Sequence, residues 1–185
     1  MSGLCSGGNE GLFALVAYVP EPLAGFVNRL RHELSPGCRL RAHITVLPPR
    51  TLSCETSVAS REMETLTGRH RSFRIEVDGI KVFAISNVIY LSIGSGADQL
   101  RKLHKLLNQG RCLSSELWPF EPHLTLAQDL EPAAVAPALA LAEKRWREYA
   151  GPRDFTLDRL TFVQGIADKG WMDLAAWELP SAVLV

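Results

Sequence analysis

Two tetrapeptides place the same reactive side chains at the same spacing: "HITV" at residues 43–46 and "HLTL" at residues 123–126. Side chains alternate across a β-strand. On a strand, His43 and Thr45 therefore face one side and Ile44 and Val46 the other. His123 and Thr125 likewise oppose Leu124 and Leu126. A histidine titrates near pH 6.5, so two of them across one cleft can hold one neutral base and one charged acid. That pairing supports proton removal and proton delivery in a single step. A threonine hydroxyl donates a hydrogen bond without carrying charge, which suits the non-bridging oxygens of a phosphate. A lone histidine on a strand is usually structural. Two copies at matched places point to chemistry.

The surrounding sequence must supply those strands. Residues 12–19, "LFALVAYV", read as a buried strand stopped by Pro20. Residues 21–34 carry Leu23, Phe26, Val27, Leu30 and Leu34 at helical spacing. Residues 41–47 form the first histidine strand, closed by Pro48 and Pro49. A short helix over 55–67 precedes the alternating "FRIEVDGIKVF" of residues 73–83. The order then repeats. A strand at 88–93 leads to a helix at 97–109 and the second histidine strand at 122–127. A helix at 131–149 follows, with Pro137 placed to kink or delay it. Strands at 155–165 and 171–179 flank a turn at Gly170.

His43 and His123 lie 80 residues apart, and "FRIEVDGIKVF" and "FTLDRLTFVQG" occupy matching places. An internal duplication is the expectation, with halves at about 11–86 and 87–179 inside one bilobal domain over 11–185, behind a disordered tail at 1–10. The predicted fold class is α+β. Two lobes related by a pseudo-two-fold face each other across a central cleft, each a mainly antiparallel sheet with outer helices.

The composition narrows the function. With 20 Lys and Arg against 20 Asp and Glu, no global field steers a polyanion, so any phosphate site must be local. Cys5, Cys38, Cys54 and Cys112 form no CxxC pair and no carboxylate cluster has ligand spacing, so neither a metal nor a cofactor is expected. No apolar run is long enough to cross a membrane, and "LFALVAY" lacks the basic flank of a leader. A cytoplasmic location with reduced thiols follows. A monomer is expected, because one chain completes the cleft.

The sequence resembles the two-histidine (2H) phosphoesterase superfamily, and within it the bacterial 2'-5' RNA ligase-like proteins that act as RNA 2',3'-cyclic phosphodiesterases. The resemblance spans roughly residues 12–179. It rests on both His-x-Thr-x motifs, the "FEPHLTL" before the second, and the closing "LTFVQG" and "WMDLAAWELP". It implies hydrolysis of a 2',3'-cyclic phosphate on an RNA terminus or a small nucleotide, by a bell-shaped, chelator-insensitive reaction. By the same resemblance His123 activates water, His43 protonates the leaving oxygen, and Thr45 and Thr125 hold phosphoryl oxygens. RNA 2'-5' ligation by the reverse reaction and a non-catalytic nucleotide-binding module are the alternatives. Arg41 and Arg50 flank the first motif and are candidates for a further phosphate; Phe120 and Trp171 are candidates for stacking on a base. Arg29, Arg31 and Arg39 read as a solvated helix face, and His32, His70 and His104 as surface residues.

Overall fold

The computed structural model describes residues 11–166 and 170–181. The tail expected at 1–10 lies outside the described residues. The elements run β1 (Phe13–Tyr18), α1 (Leu23–Leu34), β2 (His43–Arg50), α2 (Thr56–Thr67), β3 (Phe73–Phe83), β4 (Val88–Ile93), α3 (Ala97–Leu107), β5 (His123–Ala127), α4 (Pro132–Glu148), β6 (Asp154–Leu157), β7 (Arg159–Gly165) and β8 (Trp171–Glu178).

The strands form two four-stranded antiparallel sheets, ordered β2-β1-β7-β8 and β5-β4-β3-β6. They do not stay within the expected halves. β3 leaves the first half to pair with β4, and β7 leaves the second half to pair with β1. The exchange is symmetric. The first strand of each half sits between its own histidine strand and a strand from the other half. The helices cross over too: α1 packs against β5 and α3 against β2, while β2 and β5 meet each other. The main apolar core runs through both sheets and includes Ile44, Val46, Leu124 and Leu126, while a second, small cluster of Ala14, Val16 and Val163 supports Tyr18 and Trp171. Burying such side chains contributes about 1.5–3 kcal/mol each, which pins the register of both histidine strands.

Local chemistry explains the departures from the expected elements. β2 does not stop at Pro48 but continues to Arg50, which pairs with Phe13. It is an edge strand, where a residue without an N–H is tolerated. The strand expected at 155–165 breaks at Asp158, so that β6 joins one sheet and β7 the other. The Asp158 carbonyl accepts from the Leu179 N–H at that break. α4 begins at Pro132 and runs straight through Pro137. The carbonyl that Pro137 leaves unpaired belongs to exposed Ala133, where water can satisfy it. Gly96 starts α3 at φ 92°, and a Cβ there would lie 2.6 Å from the Arg74 carbonyl, so only glycine fits.

Candidate active site

β2 and β5 bring the two motifs together. Each histidine is tethered in the same way. His43 Nδ1 lies 2.6 Å from the Arg41 carbonyl, and His123 Nδ1 lies 2.7 Å from the Glu121 carbonyl. A carbonyl can only accept, so Nδ1 carries a proton in both rings, and Nε2 is the atom left to take up or give a proton. No described residue bonds either Nε2, and neither the Thr45 nor the Thr125 hydroxyl has a partner among the described residues. Two imidazole acceptors and two free hydroxyls thus share the polar faces of adjacent edge strands.

Strand register identifies the walls. In the first sheet Tyr18 stands opposite His43, and Val16 opposite Thr45. The Trp171 ring lies 4.6 Å from the His43 ring. Tyr18 donates to Asp173 at 2.7 Å, and the Arg41 guanidinium lies 3.7 Å over the Tyr18 ring while pairing with the same carboxylate. Burial and the Asp173 hydrogen bond push the Tyr18 hydroxyl up to about 12, so it remains a donor. In the second sheet Ser92 stands opposite His123, and Tyr90 opposite Thr125. Phe83 and Tyr90 meet the His123 ring edge-on, at 5.0 and 5.3 Å. Lys81, exposed, stands opposite Tyr90 on that face.

The two rings differ electrostatically. His43 is only 6% exposed. Burial, then the charge of Arg31, pushes its imidazolium down to about 3, and the charge of His123 adds to the effect. Arg31, buried on α1, donates to the Leu40 carbonyl at 3.2 Å and to the Arg41 carbonyl at 3.0 Å. His123 is also lowered by burial, but the Glu121 carbonyl and carboxylate oppose that shift. One ring therefore sits beside a cation and the other beside an anion.

The remaining candidates separate. Trp171 is on the cleft. Arg41 is at its rim, already paired with Asp173. Arg50 is not a cleft residue. It is buried at the far end of β2 and bonds the Pro48 carbonyl, Asn108, the Cys112 carbonyl and Glu116, which leaves its guanidinium holding the loop after α3. Phe120 is stacked on His104, with ring centroids 4.0 Å apart, and packs against the core. His104 is not a surface residue: it is buried, bonds the Val46 carbonyl at 2.7 Å and lies 3.3 Å from Glu116. α3 thereby grips the strand that carries His43. The sequence reading missed Tyr18, Phe83 and Tyr90, and it placed Arg31 on a solvated helix face, whereas Arg31 is buried on the acceptors supplied by residues 40 and 41. The first three sit at alternating strand positions on the histidine side, a signal readable only once the pairing register is known.

Among the described residues, no group of three or more His, Cys, Asp or Glu side chains is placed to hold a metal, and no helix is long and apolar enough to cross a membrane.

Known proteins share this fold. Escherichia coli LigT, solved with 3'-AMP, superposes with a TM-score of 0.63 over 91% of this chain and 98% of its own, at 17% identity. Usb1 of Kluyveromyces marxianus gives a TM-score of 0.56 over 93% of this chain and 99% of its own, at 11% identity. At the sequence level, the Oceanobacillus iheyensis protein named "Putative phosphoesterase OB1230" is 27% identical over 64% of this chain and 71% of its own length. A homologue of the same description from Geobacillus kaustophilus is 24% identical over 86% and 91%. The model of the 2'-5' RNA ligase superfamily matches residues 19–169, and with it the doubled histidine motif, the exchanged strands and the two abutting edge strands find one explanation: the chain belongs to that superfamily of two-histidine phosphoesterases.

Proposed function

We propose that this protein hydrolyses 2',3'-cyclic phosphate ends of RNA or related nucleotides, without a metal, through His43 and His123. The observation that carries the reading is the matched pair of rings. Each is held by an Nδ1–H bond to the carbonyl two residues earlier, and each keeps a free Nε2 beside a free threonine hydroxyl. The complexes of LigT with 3'-AMP, NADP+, ATP and phosphate support a cleft suited to nucleotide phosphates.

The chemistry needs a base for water, an acid for the departing ribose oxygen, and donors for the phosphoryl oxygens. The surroundings of the rings favour His43 as base. It is buried and beside Arg31, so it resists protonation. His123, beside Glu121, is the better holder of a proton. His43 Nε2 takes the proton from water as its oxygen attacks phosphorus. The bond to the ribose oxygen breaks, and that oxygen takes the proton from His123 Nε2. Thr45 and Thr125 donate to the two non-bridging oxygens. This reverses the roles that the family resemblance implies. Hydrolysis is favoured over 2'-5' ligation because water reaches an open cleft at far higher concentration than an RNA hydroxyl.

The test is turnover of 2',3'-cyclic nucleotides in EDTA by the wild type, His43→Ala and His123→Ala. The expected result is turnover by the wild type and a loss of at least about 10²-fold in each variant, with substrate affinity kept. Wild-type protein that binds the nucleotide without turning it over would overturn the assignment.

A further inference from the structure

We propose that α1 and the segment leading into His43 form a groove for the backbone phosphates of a single RNA strand, upstream of its reacting end. Arg29 and Arg39 are its phosphate contacts. The inference rests on the phosphodiesterase reading above and narrows its substrate to a polynucleotide.

A cavity of about 580 Å³ lies between α1 and residues 38–41, and Arg29, Arg31, His32, Arg39 and Arg41 line it. Its one carboxylate, Glu33, is paired with Arg145 at 2.9 Å. Arg29 and Arg39 are exposed and have no hydrogen bond or ion pair among the described residues. In a chain with no net charge, this concentration of guanidinium groups is a local feature. Guanidinium groups spaced along a surface suit a ligand whose negative charges repeat.

The groove continues past Arg29. A second cavity of about 350 Å³ shares Arg29 and Glu33 with the first, Phe26 and Tyr149 wall it, and its carboxylates, Glu33 and Glu148, are both paired with Arg145. Those two rings lie 4.4 Å apart and pack with Trp146 against the core, and each leaves part of its surface exposed. Aromatic faces beside a basic track are how proteins hold single strands, with bases on the rings and phosphates on the cations. An acidic peptide has no use for the rings, and a mononucleotide carries too few phosphates to engage the reacting centre, Arg39 and Arg29 together.

Continuity with the reacting centre gives the direction. Arg41 lines the first cavity, its carbonyl tethers His43, and its guanidinium covers Tyr18 on the cleft face. A strand whose cyclic phosphate sits between the histidines therefore passes Arg41, then Arg39 and Arg29, then the aromatic wall.

The experiment compares kcat/KM for 2',3'-cyclic mononucleotides with that for RNA of two, four and six residues ending in the same group, across a salt series. The wild type should favour the longer substrates. In the Arg29→Ala/Arg39→Ala double variant, the preference for six residues over one should fall roughly tenfold. Its slope of log kcat/KM against log salt should flatten by about 1.4, since each phosphate contact on a single strand contributes about 0.7. Equal wild-type rates on one and six residues, or a double variant with an intact length preference, would overturn the groove. If the wild type turns over none of these substrates, the catalytic reading has failed, and the groove is then tested alone by fluorescence anisotropy with 5'-labelled single-stranded RNA. Salt-sensitive binding that the double variant loses supports it, and absence of binding overturns it.

Discussion

His43 and Arg31 share one acceptor: the His43 Nδ1–H and the Arg31 guanidinium both donate to the carbonyl of Arg41, at 2.6 and 3.0 Å. The arginine thus helps hold the carbonyl that orients the ring, and its charge adds to the burial that keeps the ring neutral. Among the described residues no equivalent cation stands behind His123, where the Arg101 guanidinium instead pairs with the Glu121 carboxylate at 2.9 Å. The backbone tethers of the two motifs are symmetric. Their electrostatics are not.

Replacing Arg31 by Met should raise the proton affinity of His43. A neighbouring positive charge disfavours the imidazolium, so its removal moves the acid limb of the pH–kcat/KM profile to higher pH. The Leu40 and Arg41 carbonyls also lose a donor, which costs about 1–3 kcal/mol of stability. Arg31→Lys keeps the charge and loses the fork, so its acid limb should stay low while kcat falls. A purely structural Arg31 would lower stability and leave the acid limb in place in both variants, as histidine NMR titration would reveal.

Acid and base separate by leaving group. An aryl phosphodiester of a nucleoside releases a stable phenolate that needs no proton. His123→Ala should therefore lose far less rate on it than on the cyclic phosphate, by a factor of roughly 10². His43→Ala should lose about equally on both, because water must still be activated. The opposite pattern would assign the acid to His43, as the family resemblance implies.

Both histidines are lowered from 6.5, which places the pH optimum of kcat/KM on the acid side of neutrality. Under the proposed mechanism the active form has one ring neutral and one charged. It gives way to two neutral rings as pH rises past the higher of the two values, and to two charged rings as pH falls through the lower. A bound phosphate favours protonation of both, so the kcat profile should lie at higher pH than the kcat/KM profile. A kcat/KM optimum above pH 7 would contradict the burial that lowers these rings.

Stability carries the same signature without substrate. The His43 value is about 3 in the folded chain and about 6.5 unfolded, so between those limits the unfolded chain binds more protons. Stability from this group is complete above pH 6.5 and is lost as pH falls towards 3. In urea titrations, His43→Asn should show a shallower loss of stability over that window than the wild type. Parallel slopes would mean that the ring is not held neutral.

The sequence was most legible where hydrophobic period and duplication agree. The helices and most strand positions follow from apolar spacing, and the histidine pair follows from the repeated tetrapeptide. What stayed hidden depends on distant partners. Nothing near residue 48 says that β2 is an edge strand able to carry Pro48 and Pro49. Nothing in "FTLDRLTFVQG" says that Asp158 divides two sheets. Tyr18, Phe83 and Tyr90 became candidate site residues only through pairing register. His104 and Arg50 carry the charge and polarity of surface residues, but the loop after α3 folds over both and supplies their acceptors.

Arg50 gives the sharpest contrast between position in sequence and role. It follows the first motif closely enough to suggest a phosphate contact, yet four acceptors within the protein hold its guanidinium, including Glu116 at 2.9 Å. Removing one partner of a buried, hydrogen-bonded ion pair costs about 3–5 kcal/mol, because the other is left uncompensated. Glu116 is itself partly exposed, which places the expected loss for Arg50→Ala at the lower end, about 3 kcal/mol. The loop after α3 should loosen, and hydrogen exchange should rise over residues 108–116. Turnover per folded molecule at low temperature should stay within a few-fold of wild type, since no Arg50 donor faces the histidines. A variant that kept its stability but lost its affinity for substrate would instead return Arg50 to the phosphate.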